Sequence, residues 1–255
     1  MPELPDLQAF SHNLQKRLCG KTLKEVMVHT NKLNVTPAAL KKALENQELK
    51  EVRREGKELY FEFKDGAILS LHLMLRGQLY LDDQEHQYSI IELLFDDGLK
   101  LTLTDFQKAA TPTLNPEPKE ALDALDDEVN FSFLKDILQA KKSAVKNILL
   151  DQHIIRGIGN AYADEILWDA RISPFSISNK IPENKIKDLA KSIRSVLKNA
   201  EQQILKTHPD IISGEVRDFL NVHHPHKKES PAGGKINIKA GTRKTYYTDE
   251  QELFE

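Results

Sequence analysis

One cysteine, Cys19, stands in the 255 residues. A lone thiol closes no internal disulfide and builds no cysteine-rich zinc site, so stability has to come from buried apolar surface. No apolar run approaches the roughly 18 residues that a membrane span needs. The start of the chain has Glu3 and Asp6 where a signal peptide would carry basic and then apolar residues. The expected location is cytoplasmic, or at the nucleoid, and not secreted. Internal repeats and low-complexity tracts are missing as well. What is present, 40% hydrophobic and 29% charged residues, suits a soluble chain of two modest domains.

An overall basic excess is also lacking. The formal net charge is -3, which argues mildly against phosphate binding. The average hides an asymmetry. Between Val222 and Tyr247 six basic residues (Lys227, Lys228, Lys235, Lys239, Arg243, Lys244) face one acid, Glu229. From Glu117 to Glu128 six acids (Glu117, Glu120, Asp123, Asp126, Asp127, Glu128) face Lys119 alone. Charge runs are commonly no more than solvated faces, so other features have to decide.

Along the chain the pattern predicts a helix over Asp6 to Leu18. A second opens at Thr36, with Pro37 in its first position and Leu40, Ala43 and Leu44 inward. The period then changes to two. Leu59, Phe61 and Phe63 alternate with Tyr60 and Glu62, Asp65-Gly66 turns, and Ile68 to Leu81 reads as one return strand. Ser89 to Phe95 and Leu99 to Thr104 form a hairpin around Asp96-Asp97-Gly98. The acidic stretch Pro112 to Glu128 reads as a linker. Beyond it come helical segments around Val145, Ile148 and Leu149, over Ala161 to Ala170, and along Ile186, Leu189, Ala190, Ile193, Val196, Leu197, Ala200 and Ile204. A hairpin is expected from Lys235 to Lys239 and Arg243 to Tyr247 around Ala240-Gly241.

Three motifs join these segments. Met1-Pro2-Glu3-Leu4-Pro5, Arg53-Arg54-Glu55-Gly56-Lys57, and the run from Leu149-Leu150-Asp151-Gln152 to Gly157-Ile158-Gly159-Asn160-Ala161-Tyr162-Ala163-Asp164-Glu165 resemble the formamidopyrimidine-DNA glycosylase and endonuclease VIII family. Asn115-Pro116-Glu117-Pro118 and Val216-Arg217-Asp218-Phe219 also look like family positions, so the resemblance covers nearly the whole chain. It implies an α+β fold in four parts: a β-sandwich with flanking helices over 1–111, an acidic linker over 112–130, a helix-two-turn-helix domain over 131–221, and a terminal β-hairpin over 222–255. It also implies a monomeric base-excision-repair enzyme, a DNA glycosylase with AP lyase activity. The partner would be double-stranded DNA holding a damaged base or an abasic site, with no membrane involved.

The residues bear this chemistry individually. α-Amino groups titrate near pH ~8, so the secondary amine of Pro2, once Met1 is removed, is partly unprotonated and nucleophilic at neutral pH. Attack on the sugar C1′ would give an iminium, expel the base and acidify the C2′ proton for β-elimination. In a lone Met-Pro start, Pro2 would simply begin a helix. Glu3 beside it would, by resemblance, protonate the ring oxygen and shuttle protons; otherwise it is a helix N-terminal charge. The Lys57 ammonium, after the Gly56 turn, would hold the adjacent phosphate, although most lysines are merely solvated. Gly157 and Gly159 let backbone N–H groups approach an anion, and Asn160 could cap the following helix while reaching a phosphate; a tight interhelical turn has the same pattern. Glu165 fits a buried supporting carboxylate. By resemblance His72 contacts a phosphate and Arg243 clamps phosphates around the lesion.

The sequence also departs from the family pattern. The places of four zinc-binding cysteines fall on Ser230, Gly233, Thr248 and Gln251, so a zinc-free hairpin is expected, with no metal and no cofactor. His223, His224 and His226 read as a solvated loop. For the wedge that fills the gap left by a flipped nucleotide, the loop Asp105-Phe106-Gln107-Lys108-Ala109 lacks the expected arginine and phenylalanine. The wedge therefore maps onto Met74, Leu75 and Arg76, the endonuclease VIII arrangement. No long loop fits between Leu220 and Val222. Both features favour oxidised pyrimidines, ring-opened bases or abasic sites over 8-oxoguanine. A catalytically weak or inactive damaged-DNA-binding protein of the same fold is the main alternative, and an N-terminal-proline tautomerase the more distant one. Neither the opposite-base preference nor β- against β,δ-elimination follows from these residues.

Overall fold

A computed structural model describes residues 1–255. The chain forms two compact units, residues 1–118 with 204–215 and residues 119–203 with 216–255.

In the first unit, Pro5 and the reciprocal capping box of Glu3 and Asp6 start helix α1 (Leu4–Leu18). Thr36 opens α2 (Pro37–Leu44) by accepting the Ala39 N–H at 3.2 Å. Eight strands follow the period-two pattern: β1 (Leu23–Val28), β2 (Leu49–Glu55), β3 (Glu58–Phe63), β4 (Ile68–His72), β5 (Gln78–Leu81), β6 (Ser89–Phe95), β7 (Lys100–Thr104) and β8 (Thr111–Leu114). They make two four-stranded antiparallel sheets, ordered β1-β6-β7-β5 and β2-β3-β4-β8. Val26, Leu93 and Leu101 of one sheet and Phe61, Phe63 and Leu69 of the other share a single core with Phe10 and Leu14 of α1. The result is the expected β-sandwich.

The structure corrects the sequence reading of this unit at two points. Ile68 to Leu81 is not one return strand: β4 and β5 belong to different sheets. Between them the Gly77 N–H bonds to the Leu73 carbonyl at 2.8 Å, and a Cβ on Gly77 would stand 2.2 Å from that oxygen. The close approach is open to glycine alone, and it lets the chain cross between sheets. Pro112, expected to open the linker, lies in β8 opposite Leu71. As the edge strand, β8 tolerates a residue without an N–H.

The second unit contains β9 (Leu122–Asp123), α3 (Phe131–Ala140), α4 (Val145–Leu150), β10 (Ile155–Arg156), α5 (Asn160–Asp169), most of α6 (Glu183–Thr207), β11 (Ile236–Lys239) and β12 (Thr245–Thr248). The acidic stretch is not a free linker, because β9 pairs in parallel with β10 and the Arg156 Nε donates to the Ala121 carbonyl at 2.7 Å. Asn130 caps α3, accepting from the Ser132 and Phe133 N–H groups. The stripe Ile186, Leu189, Ile193, Leu197 is fully buried along α6. Strands β11 and β12 pair antiparallel from Ile236 with Thr248 to Lys239 with Thr245, as the hairpin reading expects.

Candidate active site

In the first unit the sandwich gathers the sequence-selected residues by register. The chain turns back at Gly56-Lys57, with Gly56 at φ 57°, between Glu55 and its partner Glu58. Glu58 pairs with His72, and His72 with Thr111, so these positions form one level across the sheet. Helix α1 runs beside β2 with its start towards that level: Gln15 accepts the Val52 N–H at 2.6 Å, and Gln8, one side-chain rung earlier, accepts from the Arg54 Nε at 2.9 Å. The same guanidinium donates to the Gly56 carbonyl at 3.3 Å. Arg54 therefore ties the first turns of α1 to the turn holding Lys57. Pro2, Glu3, Lys57 and His72 sit at one end of the sandwich.

Each of these residues has defined surroundings. Pro2 and Glu3 are buried, and the Asp6 carboxylate accepts the Glu3 backbone N–H at 2.9 Å. The helix-end role considered for Glu3 is thus realised in the geometry, and it fixes where the side chain starts. The Met1 ammonium pairs with Glu215. The His72 Nδ1 accepts the Met74 N–H at 3.0 Å, which orients the ring and opens the turn that exposes Met74, Leu75 and Arg76.

In the second unit, Gly157 adopts φ 104° and its N–H is taken by the Gln152 Oε1 at 3.0 Å. Gln152 also donates to the Ile158 carbonyl at 2.9 Å. The glycine run is therefore a braced interhelical turn, and the Gly157 N–H points inward to protein. Asn160 is not the cap of α5; Gly159 takes that place, and Asn160 is the first helical residue. Its amide instead donates to the Lys244 carbonyl at 2.9 Å, next to exposed Arg243 in the turn between β11 and β12.

Beneath that contact lies a cluster that the sequence reading missed. Asp164, fully buried, pairs with the buried Lys146 Nζ at 2.7 Å. Lys146 also donates to the Thr245 hydroxyl at 2.8 Å. The other Asp164 oxygen accepts the Tyr246 N–H at 3.0 Å and meets the His223 Nδ1 at 2.7 Å. His223, read as part of a solvated loop, is a structural partner of this carboxylate. Glu165 is the supporting group expected: it accepts N–H groups from Asn221, Val222 and His223, at 2.8, 2.7 and 2.7 Å. Burial pushes its carboxyl above the ordinary range, and the three N–H groups oppose that rise. The adjacent acids Asp164 and Glu165 were the available signal, since two acids at the start of an otherwise apolar helix need buried partners.

At the base of the hairpin, Glu250 is a second missed residue. Its Oε2 accepts from the Ser230 hydroxyl at 2.7 Å, the Trp168 indole at 2.9 Å and the Thr248 hydroxyl at 3.0 Å, while Arg171 pairs with its Oε1 at 3.1 Å. These donors, the indole foremost, hold the Glu250 carboxyl at about 2, well below the ordinary carboxylate range. Gln251 accepts the Thr248 N–H and donates to the Ile172 carbonyl, both at 2.8 Å. Hydroxyls and an amide committed to these bonds, with no thiolate or imidazole among them, do not fit a zinc ion.

Comparison with known proteins agrees with this arrangement. Residues 1–111 match the family model for the formamidopyrimidine-DNA glycosylase N-terminal domain, and residues 121–208 the model for its H2TH domain. A formamidopyrimidine-DNA glycosylase from Lactobacillus gasseri is 32% identical over 222 residues, 80% of this chain and 78% of the relative. Another from Arabidopsis thaliana is 30% identical over 285 residues, 100% of this chain and 72% of the relative. Among solved structures, the Lactococcus lactis Fpg complex with N7-benzyl-Fapy-dG DNA superimposes with a TM-score of 0.87 at 25% identity, covering 98% of this chain and 100% of that one. A MutM complex with carbocyclic 8-oxo-G DNA gives 0.86 at 25% identity, with coverage of 98% and 100%.

Proposed function

Since the chain belongs to the formamidopyrimidine-DNA glycosylase family, we propose that it excises damaged bases from double-stranded DNA and cleaves the strand at the resulting abasic site, with the Pro2 amine as nucleophile. The observation that carries this reading is the convergence of the chain start, the Lys57 turn and the end of β4 at one level of the sandwich, tied by Arg54. Removal of Met1 leaves the secondary amine on Pro2. Attack on C1′ forms the iminium as the base departs, and Glu3, held at the helix start by its backbone bond to Asp6, delivers the proton to the ring oxygen. Lys57 and His72 hold phosphates beside the lesion, and Asn160 and Arg243 do so from the second unit. The hairpin works without zinc, its base organised by Glu250.

Among damaged bases, the reading favours oxidised pyrimidines and ring-opened bases over 8-oxoguanine. Met74, Leu75 and Arg76 stand out from one turn, as a void-filling set should. The segment from Leu220 to His223 is pinned by Glu165 and leaves no long covering loop there. Excision of thymine glycol, dihydrouracil, formamidopyrimidine and 8-oxoguanine from otherwise identical duplexes tests this. Efficient release of the first three is expected, while 8-oxoguanine release at an equal rate overturns the preference.

A further inference from the structure

The exposed large apolar side chains of this chain are unevenly placed. Met74, Leu75, Tyr88 and Phe106 are 37%, 58%, 57% and 58% exposed; only Ile238 and Leu253 join them, and those two lie in the second unit. The strand register brings the first four to one rim. The turn after β4 runs from His72 to Gln78, and the loop after β7 from Thr104 to Thr111; His72 pairs with Thr111, and Gln78 with Thr104. The two connections therefore cross between the same two sheets at the same end. Tyr88 abuts the second, because its carbonyl accepts the Asp105 N–H at 3.0 Å.

The second loop is built to hold its shape. Asp105, 1% exposed, accepts N–H groups from Gln107, Ala109 and Ala110 at 2.9, 2.7 and 2.8 Å. Three of the six non-glycine residues with positive φ stand on this rim: Met74 at 54°, Tyr88 at 63° and Lys108 at 52°. Such conformations cost energy and persist where the surroundings fix them, which they do most often at functional sites. A rigid loop that presents a bare phenyl ring to water has no folding reason to do so.

We propose that Phe106 is a base-stacking residue, which inserts beside Leu75 against the bases next to the damaged nucleotide. The occupant follows from the chemistry of the two loops. Each sets an apolar side chain beside an exposed cation, Leu75 with Arg76 and Phe106 with Lys108, and the one carboxylate between them, Asp105, is turned inward onto backbone N–H groups. Apolar faces alternating with cations suit unstacked bases between phosphates, and a phenyl ring serves any base because every base offers a π-face. The second loop then contributes to the wedge through Phe106, although it lacks the arginine and phenylalanine that the sequence pattern sought there. The inference rests on the DNA-repair reading above and adds the residue that senses the broken stack.

The test uses the full chain and two short duplexes, one intact and one with a single tetrahydrofuran abasic-site analogue. Phe106→Ala should lower the preference for the abasic duplex about tenfold, the scale of one lost base–aromatic stack, and leave binding to the intact duplex within about twofold. Phe106→Trp should retain the preference, and the emission of the new indole should be quenched by the abasic duplex and not by the intact one. Trp168 is the only native tryptophan and is buried, so the unsubstituted chain supplies the background. An unchanged preference in the alanine variant, with an indole blind to the lesion, would overturn the assignment and leave the proposed function standing. A wild-type chain that fails to distinguish the two duplexes would overturn both.

Discussion

The rim of the sandwich and the terminal hairpin both present exposed functional side chains, and they fix them by different means. At the rim, position follows from strand register: Lys57, His72 and the two loops hang from the ends of sheets with a large shared core. The hairpin has two strands of four residues each, too few to set a position alone. Its small apolar cluster of Trp168, Val222, Ile236 and Tyr246 is supplemented by buried carboxylates. Asp164 grips it near Arg243, Glu165 grips the entering chain, and Glu250 closes its base. An apolar core tolerates many substitutions, whereas a buried ion pair fails when either member is removed.

The sharpest way to break that contrast is at Asp164. Asp164→Ala leaves the buried Lys146 ammonium without its counter-charge and should cost about 3–5 kcal/mol in the second unit, read from urea unfolding followed by Trp168 emission. A loss under about 1 kcal/mol would show that apolar packing alone carries the hairpin. At the rim, Glu3→Gln removes a proton donor but hardly disturbs register. Single-turnover base release should slow by about a hundredfold or more, with the thermal midpoint nearly unchanged. A midpoint that falls as far as in Asp164→Ala would place Glu3 with the structural carboxylates.

Much of this division was legible in the sequence, for reasons that the residues make plain. Leu59, Phe61 and Phe63 alternate cleanly because β3 has neighbours on both sides, and Thr36-Pro37 announces α2 by cap chemistry. Strands β1 and β2 were illegible: Leu-Lys-Glu-Val-Met-Val and Leu-Lys-Glu-Val-Arg-Arg-Glu each bury only two positions fully, so their period is faint. The break at Leu73–Gly77 is a tertiary event, visible only once β4 and β5 are known to join different sheets. Similarly, the motif residues Pro2, Glu3, Lys57 and Asn160 stood out by local pattern, but Lys146, Asp164, His223 and Glu250 meet across spans of sequence that no local pattern encodes. Residues 204–215 join the first unit for the same reason, through the Asn13 bond to the Ile211 carbonyl and the Ser213 bond to the Leu79 N–H.

Two smaller effects sharpen the contrast. Glu250 has a folded-state pKa of about 2, below the unfolded value of ~4.3. Its contribution is present above the unfolded value and is lost as pH falls from there through the folded one. The hairpin should therefore loosen between about pH 4.5 and pH 2, and Glu250→Gln should already be weakened at neutral pH and flat across that acid range. Trp168 emission against pH checks it, and an acid limb unchanged in the variant would assign it to other carboxylates. Arg243→Ala should have the mildest effect on folding. It should reduce the salt slope of duplex affinity by about 1, with little sequence dependence, as measured by titration at several salt concentrations; an unchanged slope would remove Arg243 from the phosphate contacts.

The most direct measurement is borohydride trapping on a duplex with a single abasic site, with the chain's N-terminus read by mass spectrometry. A covalent adduct on Pro2, in protein that has lost Met1, is the expected result. Protein without Met1 that binds the same duplex and yields no adduct, or yields one at another residue, would contradict the Pro2 amine as nucleophile.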